Sequence, residues 1–305
     1  MDNKYILRSM LFVPGNNERL INSSINSDAD CIIFDIEDSV QPETQKLRAR
    51  SMVRDFISQN NPIDKYIVIR INDIKSGLLI DDLEMLTIPG VDGFMPPKAN
   101  TGSDIYFIDK LLETLEHKKN IPIGTFKLAP LIETGAAVLN SQDICKASER
   151  VIAIAYGSED FVRDIKGIHD PEDETLFTPR ALIAMAARAN NVIPIDTVHI
   201  KVHDLENLEK NLKVSRKLGF EGMLTLHPKE IPLVHEYFTP NEKEYQSSLR
   251  IIQTHEECKL NGKGVTLDNG KLLGPPMISS AIDTINRYEL IHEKSDQKLK
   301  IKKAA

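Results

Sequence analysis

Nothing in this sequence approaches the ~20 consecutive apolar residues that a membrane-spanning helix requires, so no membrane partner is expected. Cysteine is scarce. Cys31, Cys145 and Cys258 are the only three, no two stand in a metal-ligand spacing, and Cys31 sits inside an apolar run. That usage points to a reduced, intracellular setting. Basic charge is also short: 38 Lys and Arg stand against 45 Asp and Glu, for a net charge of −7. Such a balance argues against a nucleic-acid surface and leaves room only for a local basic pocket. Met1–Met10 carries Lys4 and Arg8, but no apolar segment follows, so no secretory leader is expected and the expected location is the cytoplasm. Also absent are Gly-x-Ser-x-Gly, His-Glu-x-x-His, a phosphate-cradling glycine loop and the dinucleotide fingerprint. Serine-hydrolase, zinc-protease and nucleotide-dependent readings lose their support with them.

What is present is a rhythm. Short apolar runs recur at Met10–Val13, Cys31–Phe34, Tyr66–Ile71, Gly93–Met95, Phe126–Ile132, Val151–Tyr156, Val192–Ile195 and Gly222–Leu226. Several are apolar at nearly every position, as strands buried on both faces are, instead of alternating as in a one-sided antiparallel sheet. Between them the spacing predicts helices over Pro42–Ser58, Ser103–His117, Pro179–Ala189 and Asp204–Leu218, the last closed by Gly219. Strand alternating with helix means a parallel sheet, and eight strands favour closure into a (β/α)₈ TIM barrel over an open doubly wound sheet. A chain of 305 residues fits one such barrel, here over 1–238. A C-terminal helical and loop extension is expected over 239–293, suited to a lid or an oligomer contact. It comprises helices at Glu242–Cys258 and Met277–His292 around a Gly- and Pro-containing loop, Asn261–Pro276. The lysine-rich residues 294–305 have little to pack and are expected to lack fixed structure.

In parallel barrels the reactive groups stand at the C-terminal ends of strands. Here those ends carry Asp35-Ile36-Glu37-Asp38, Arg70-Ile71-Asn72, Pro97-Lys98, Glu133-Thr134, Glu159-Asp160 and His227-Pro228. Carboxylates with one arginine and one lysine are what a magnesium site for an anionic substrate requires. The hard cation takes oxygen ligands, and the guanidinium offers a planar fork to a carboxylate. Each group also has a plainer reading. Asp35, Glu37 and Asp38 suit the opening of a helix, as does Glu133, and Asp160 suits a helix cap. His227 before Pro228 suits a turn. Arg70 is harder to set aside, since a charge inside Tyr66–Ile71 needs a buried partner.

These residues fall within longer matching segments. Arg8–Asn16 (RSMLFVPGN) resembles the opening of the citrate lyase beta-subunit family, in the HpcH/HpaI aldolase superfamily. Further likeness follows in FDIEDSV from Phe34, IRIN from Ile69, LIET from Leu131, AYGSEDF from Ala155, IDTV from Ile195 and His227-Pro228. The resemblance runs from Arg8 to about Pro276 and implies a barrel whose Mg2+ is held by Glu133 and Asp160. Arg70 would bind the substrate carboxylate, and Asp35, Glu37 and Asp38 would order water and the metal's outer shell. Arg8, Phe12 and Lys98 would lie near the pantetheine and nucleotide part of an acyl-CoA or acyl-carrier-protein thioester. The implied reaction is cleavage of a citryl-, malyl- or citramalyl-like β-hydroxy acyl thioester into an acyl thioester and an oxo-acid, in a homotrimer or hexamer.

The sequence departs from the family at three places. The family's C-terminal loop reads Met-x-Asp-x-Pro and lends its aspartate to a neighbouring subunit as acid/base; Gly274 stands at that position. Lys201 replaces an aspartate after the seventh strand, and Met223 replaces a lysine in the eighth. The metal half of the implied site is intact and the thioester half is altered. A different acid/base, His227 or a water held by Glu37, would then serve. Two further readings follow: a metal-dependent aldolase acting on a free hydroxy-oxo-acid, and a weakly active oxo-acid-binding subunit of a larger complex.

Overall fold

The computed structural model describes residues 5–169, 174–260, 266–268 and 271–304. Residues 1–235 and 236–305 form two compact units. The first contains nine parallel strands: β1 (Ser9–Pro14), β2 (Cys31–Asp35), β3 (Tyr66–Arg70), β4 (Gly93–Met95), β5 (Lys127–Leu128), β6 (Leu131–Ile132), β7 (Ala153–Tyr156), β8 (Ile193–Asp196) and β9 (Gly222–Thr225). Their order is β5-β4-β3-β2-β1-β9-β8-β7-β6, without the reversal of an open doubly wound sheet.

The two end strands are successive pieces of one stretch. Phe126–Ile132 reads as a single strand in sequence, and the structure interrupts it at Ala129-Pro130, where proline has no amide to give a ladder. On one side Ala129 N and Leu131 N donate to Phe94 O and Pro96 O; on the other, Ala155 N and Gly157 N donate to Pro130 O and Ile132 O. The sheet is therefore curled in the manner of a TIM barrel, with its ends meeting at Pro130. Its interior holds Met10, Ile33, Val68, Met95, Leu131, Ala155, Ile195 and Leu224, with Phe12 and Val198 packed against them.

Helices fill the crossovers: α1 (Glu18–Ser24), α2 (Lys46–Asn60), α3 (Leu79–Leu86), α4 (Gly102–Lys119), α5 (Gly135–Leu139), α6 (Ser141–Lys146), α7 (Ser158–Asp164), α8 (Glu174–Ala189), α9 (Leu205–Leu218) and α10 (Ile231–Phe238). Local chemistry sets their ends. Thr101 and Asp104 form a reciprocal capping box at α4. Asp204 caps α9, and Gly219 ends it with φ of 93°. The short helices α1, α3, α5, α6 and α7 have too few turns for a sequence period to stand out. α8 starts five residues before the expected Pro179, which lies inside it.

The second unit contains α11 (Glu242–Leu260), the hairpin strands β10 (Thr266–Asp268) and β11 (Lys271–Leu273), and α12 (Pro275–Ala304). Tyr245 stacks on Tyr288 at 4.1 Å, and Tyr288 donates to Glu242 at 2.5 Å, tying α11 to α12. The hairpin lies in the stretch expected as a loop; Gly262, Lys263 and Gly264 of that stretch fall outside the described residues. The α12 backbone runs on through residues 294–304, where the sequence suggests no fixed structure; that segment contains no Gly or Pro to stop a helix. Among the described residues no helix is long and apolar enough to cross a membrane.

Candidate functional site

At the C-terminal ends of the strands lies a cavity of about 680 Å³. Phe12 of β1, Asp35 of β2, Arg70 of β3, Glu133 after β6, Asp160 on α7 and His227 after β9 all line it. An apolar wall of Leu20, Leu131, Val198, Leu224 and Leu226 faces the same space.

Arg70 has four partners. Its Nε and Nη2 donate to Asp35 Oδ1 and Oδ2 at 2.7 and 2.6 Å, the planar fork on a carboxylate. Its third nitrogen, Nη1, lies 3.2 Å from Glu37 Oε2 and 3.5 Å from Asp38 Oδ2. Its guanidinium stacks over the Phe12 ring at 4.9 Å. Asp35 also accepts from the amides of Glu37 and Ser39. Burial alone raises the Asp35 carboxyl, but the Arg70 guanidinium and these hydrogen bonds outweigh it and hold the group below the usual carboxylate range.

Glu133 has the opposite balance. It is 1% exposed, and its Oε1 accepts from the Lys98 amide at 2.8 Å. Lys98 supplies that amide from a left-handed backbone, φ 52°, just after Pro96-Pro97. Burial, with the charges of Glu37 and Asp160 adding, pushes the Glu133 carboxyl up to about 8. Glu37 is also raised, by burial first, and its buried Oε2 accepts no hydrogen bond. The cluster therefore has more carboxylate than its own cations neutralise, and all of its donors are hard oxygens.

Gly157, the cap of α7, makes room beside Glu133. A Cβ there would lie 2.8 Å from Glu133 Cβ and 3.0 Å from its Oε2. Gly157→Ala is expected to displace the Glu133 side chain at a cost of ~1–3 kcal/mol and to reduce cation affinity about tenfold. Thermal melting with and without magnesium checks this; an unchanged magnesium-induced shift would remove Gly157 from the argument.

A profile of the family described as HpcH/HpaI aldolase/citrate lyase matches residues 8–228. The chain belongs to that family. It is 34% identical to the citrate lyase subunit beta of Haemophilus influenzae, over 90% of this chain and 94% of that one. It is 26% identical to a (3S)-malyl-CoA thioesterase of Cereibacter sphaeroides, over 93% and 95% of the two chains. In fold it is similar to a Mycobacterium tuberculosis protein, CitE, solved with magnesium, acetoacetate and coenzyme A. The TM-score is 0.74 and the identity 22%, covering 94% of this chain and 99% of that one.

Against that family background, the structure brings Phe12, Asp35, Arg70, Glu133, Asp160 and His227 to one cavity. Glu37 and Lys98 stand behind it. The Lys98 ammonium donates to Glu37 Oε1 at 2.5 Å and so braces the carboxylates. Arg8 does not join them. It precedes β1, at the opposite end of the sheet, in a fork with Asp30 at 2.8 and 2.9 Å. Arg8 thus stands apart from this cavity, in an ion pair with Asp30. Asp160 pairs with Arg163 at 2.6 Å, and among the described residues no three His, Cys, Asp or Glu side chains form a ready-made metal cage. Magnesium needs only one or two carboxylates with water and substrate oxygens, so this donor set suits it.

Behind the cavity are Lys46, Asn72 and Asp82, all buried and polar; of these, sequence reasoning missed Lys46 and Asp82. One signal was available. Lys46 and Arg50 interrupt the otherwise apolar inner face of α2, which carries Ala49, Val53, Phe56 and Ile57.

Proposed function

We propose that this chain is a magnesium-dependent carbon–carbon lyase of the citrate lyase beta type. In this reading it cleaves a β-hydroxy acyl thioester into an acyl thioester and an oxo-acid. The observation that carries the proposal is a buried carboxylate, Glu133, sharing one cavity with Asp160 and the guanidinium of Arg70. The relatives described above, a citrate lyase subunit and a malyl-CoA thioesterase among them, support it.

Glu133 and Asp160 would hold the magnesium. When bound, the ion supplies Lewis acidity to the hydroxyl and carboxylate oxygens of the oxo-acid half. Arg70 spends two donors on Asp35, and its Nη1, which lies beside Glu37 and Asp38, would turn to the oxo-acid carboxylate. Phe12, Val198 and Leu224 offer the acyl half an apolar wall that excludes water. Cleavage breaks the carbon–carbon bond; the hydroxyl gives up its proton as it becomes a carbonyl, and the enolate left behind must take one up. His227 lines the cavity, and its Nδ1 accepts from the Lys229 amide at 3.1 Å. With Nδ1 so engaged the ring's N–H is Nε2, which we assign as the donor to the enolate carbon, the ring taking back the proton that the hydroxyl releases. The same reading carries a homotrimer or hexamer, which sedimentation checks.

Calorimetric titration with magnesium, then oxaloacetate, then acetyl-CoA tests the proposal; a protein that binds magnesium and neither ligand would refute it. Gly274 at the family's aspartate position favours one second reading, an aldolase acting on a free hydroxy-oxo-acid. Oxaloacetate binding without acetyl-CoA binding would select that reading. The titration also has a pH signature. A carboxyl raised to about 8 is mostly protonated at pH 7, and only the carboxylate binds the cation. Magnesium binding at pH 7 is expected to release close to one proton. Affinity should rise by up to about tenfold per pH unit toward pH 8 and level off above it. Titrations in buffers of different protonation enthalpy measure the release; none at pH 7 would mean that Glu133 is not the ligand.

A further inference from the structure

Behind the cavity a second set of buried polar groups grips the turn that follows β2. Lys46 opens α2 and is 5% exposed. Its ammonium donates to Ile36 O at 2.9 Å and to Glu37 O at 2.5 Å. Among the described residues no carboxylate lies within ion-pair distance of it. Asn72, just after β3, donates from Nδ2 to the same Ile36 carbonyl at 3.2 Å. Asp82 of α3 fixes Asn72 in turn, accepting from its amide at 2.7 Å and its Nδ2 at 2.8 Å. Arg50, one helical turn beyond Lys46 on α2, donates to Asp82 at 2.5 Å. Two helices and a strand end therefore converge on two peptide carbonyls.

Those two peptides matter because of what they carry. The Glu37 amide donates to Asp35 Oδ1 at 2.9 Å, and Asp35 holds Arg70 by its fork. The Glu37 carboxylate lies against Arg70 Nη1 and accepts from Lys98. A buried ammonium is costly to keep, and an apolar side chain would pack there at less cost if packing were all the site required. Its acceptors are the carbonyls of the turn that orients the guanidinium.

We infer that Lys46, seconded by Asn72, is a positioning residue that sets the direction of Arg70 through the Ile36-Glu37 turn and so tunes oxo-acid affinity without touching the metal ligands. The inference rests on the function proposed above, in that Arg70 is taken to meet the oxo-acid carboxylate.

The test compares wild type, Lys46→Met, Lys46→Arg and Asn72→Ala by calorimetry with magnesium and then oxaloacetate. Lys46→Met should keep magnesium affinity within about threefold and lose at least tenfold in oxaloacetate affinity. Lys46→Arg, which retains donors for both carbonyls, should recover most of that loss. A purely structural role would weaken both ligands together, or neither. Unchanged oxaloacetate affinity in a folded Lys46→Met overturns the inference. If Lys46→Met does not fold, Asn72→Ala decides: a smaller selective loss of oxaloacetate supports the inference, and no loss overturns it. If wild type itself binds no oxo-acid, the functional proposal fails on its own account. A crystal structure of Lys46→Met, or of Asn72→Ala should that variant not fold, then judges the positioning, with Arg70 and Glu37 displaced supporting it and unmoved overturning it.

Discussion

Glu133→Gln is expected to cost at least about a hundredfold in magnesium affinity while leaving the fold as stable as wild type, or more so. Loss of a group that merely supports a metal ligand already costs ~10–100-fold, so loss of a ligand oxygen's charge sets a floor near the upper figure. The stability half follows from the same environment. A carboxyl whose folded value is raised to about 8 holds its proton in the folded chain over a range where the unfolded chain has released it. Stability therefore falls as pH rises from the ordinary carboxylate range toward 8, and the isosteric neutral amide removes that loss. Without magnesium, the variant should melt at or above the wild-type temperature at pH 8. With magnesium at about a hundred times its Kd, wild type should gain ~2.7 kcal/mol, or ~4–5 °C in Tm, and the variant should gain nothing. A variant that still responds to magnesium like wild type would place the ion elsewhere.

That prediction was open to sequence reasoning only in part. The carboxylates at strand ends are legible because a parallel barrel puts those ends on one side, and a charge after a continuous apolar run has nowhere else to point. That ground puts Asp35, Arg70, Glu133 and Asp160 on one side of the sheet, and all four line the cavity. By the same rule Arg8, which precedes its strand, belongs to the opposite end, where Asp30 meets it. Lys98 shows a different limit. Its place after β4 is readable, but its left-handed backbone, which turns the amide to Glu133 and lets the ammonium reach Glu37, is not. The fold divides similarly. Eight apolar runs announce the strands, whereas Pro130 hides within an apolar run the point at which strand five changes neighbours. The Lys46, Asn72 and Asp82 set joins residues 9 to 36 apart through backbone carbonyls and one carboxylate, and no spacing rule links a lysine to a carbonyl.

Arg70→Lys is the second large effect, and it should appear in binding more than in stability. Lysine keeps the positive charge beside Asp35 and Glu37 but replaces five fixed donors with a point charge, so the bidentate contact is lost. Oxaloacetate affinity should fall by ~1.5–3 kcal/mol, about 10–150-fold, with magnesium affinity nearly unchanged. The fold should tolerate the change because Asp35 retains the amides of Glu37 and Ser39 and still faces a cation. Arg70→Ala should behave differently. It strands a buried carboxylate, for which ~3–5 kcal/mol of stability is the usual loss. The pH dependence identifies the cause. With Arg70 present the Asp35 carboxyl lies below its unfolded value, so its stabilisation is complete at neutral pH and is lost only as pH falls through the lowered folded value. Without Arg70, burial raises the carboxyl, and acid unfolding should begin at higher pH in Arg70→Ala than in either wild type or Arg70→Lys. Acid denaturation of the three proteins, followed by circular dichroism, measures the order. If Arg70→Lys instead loses stability like Arg70→Ala and binds oxaloacetate like wild type, the fork to Asp35 is structural and the oxo-acid carboxylate must be held by another cation of the cavity.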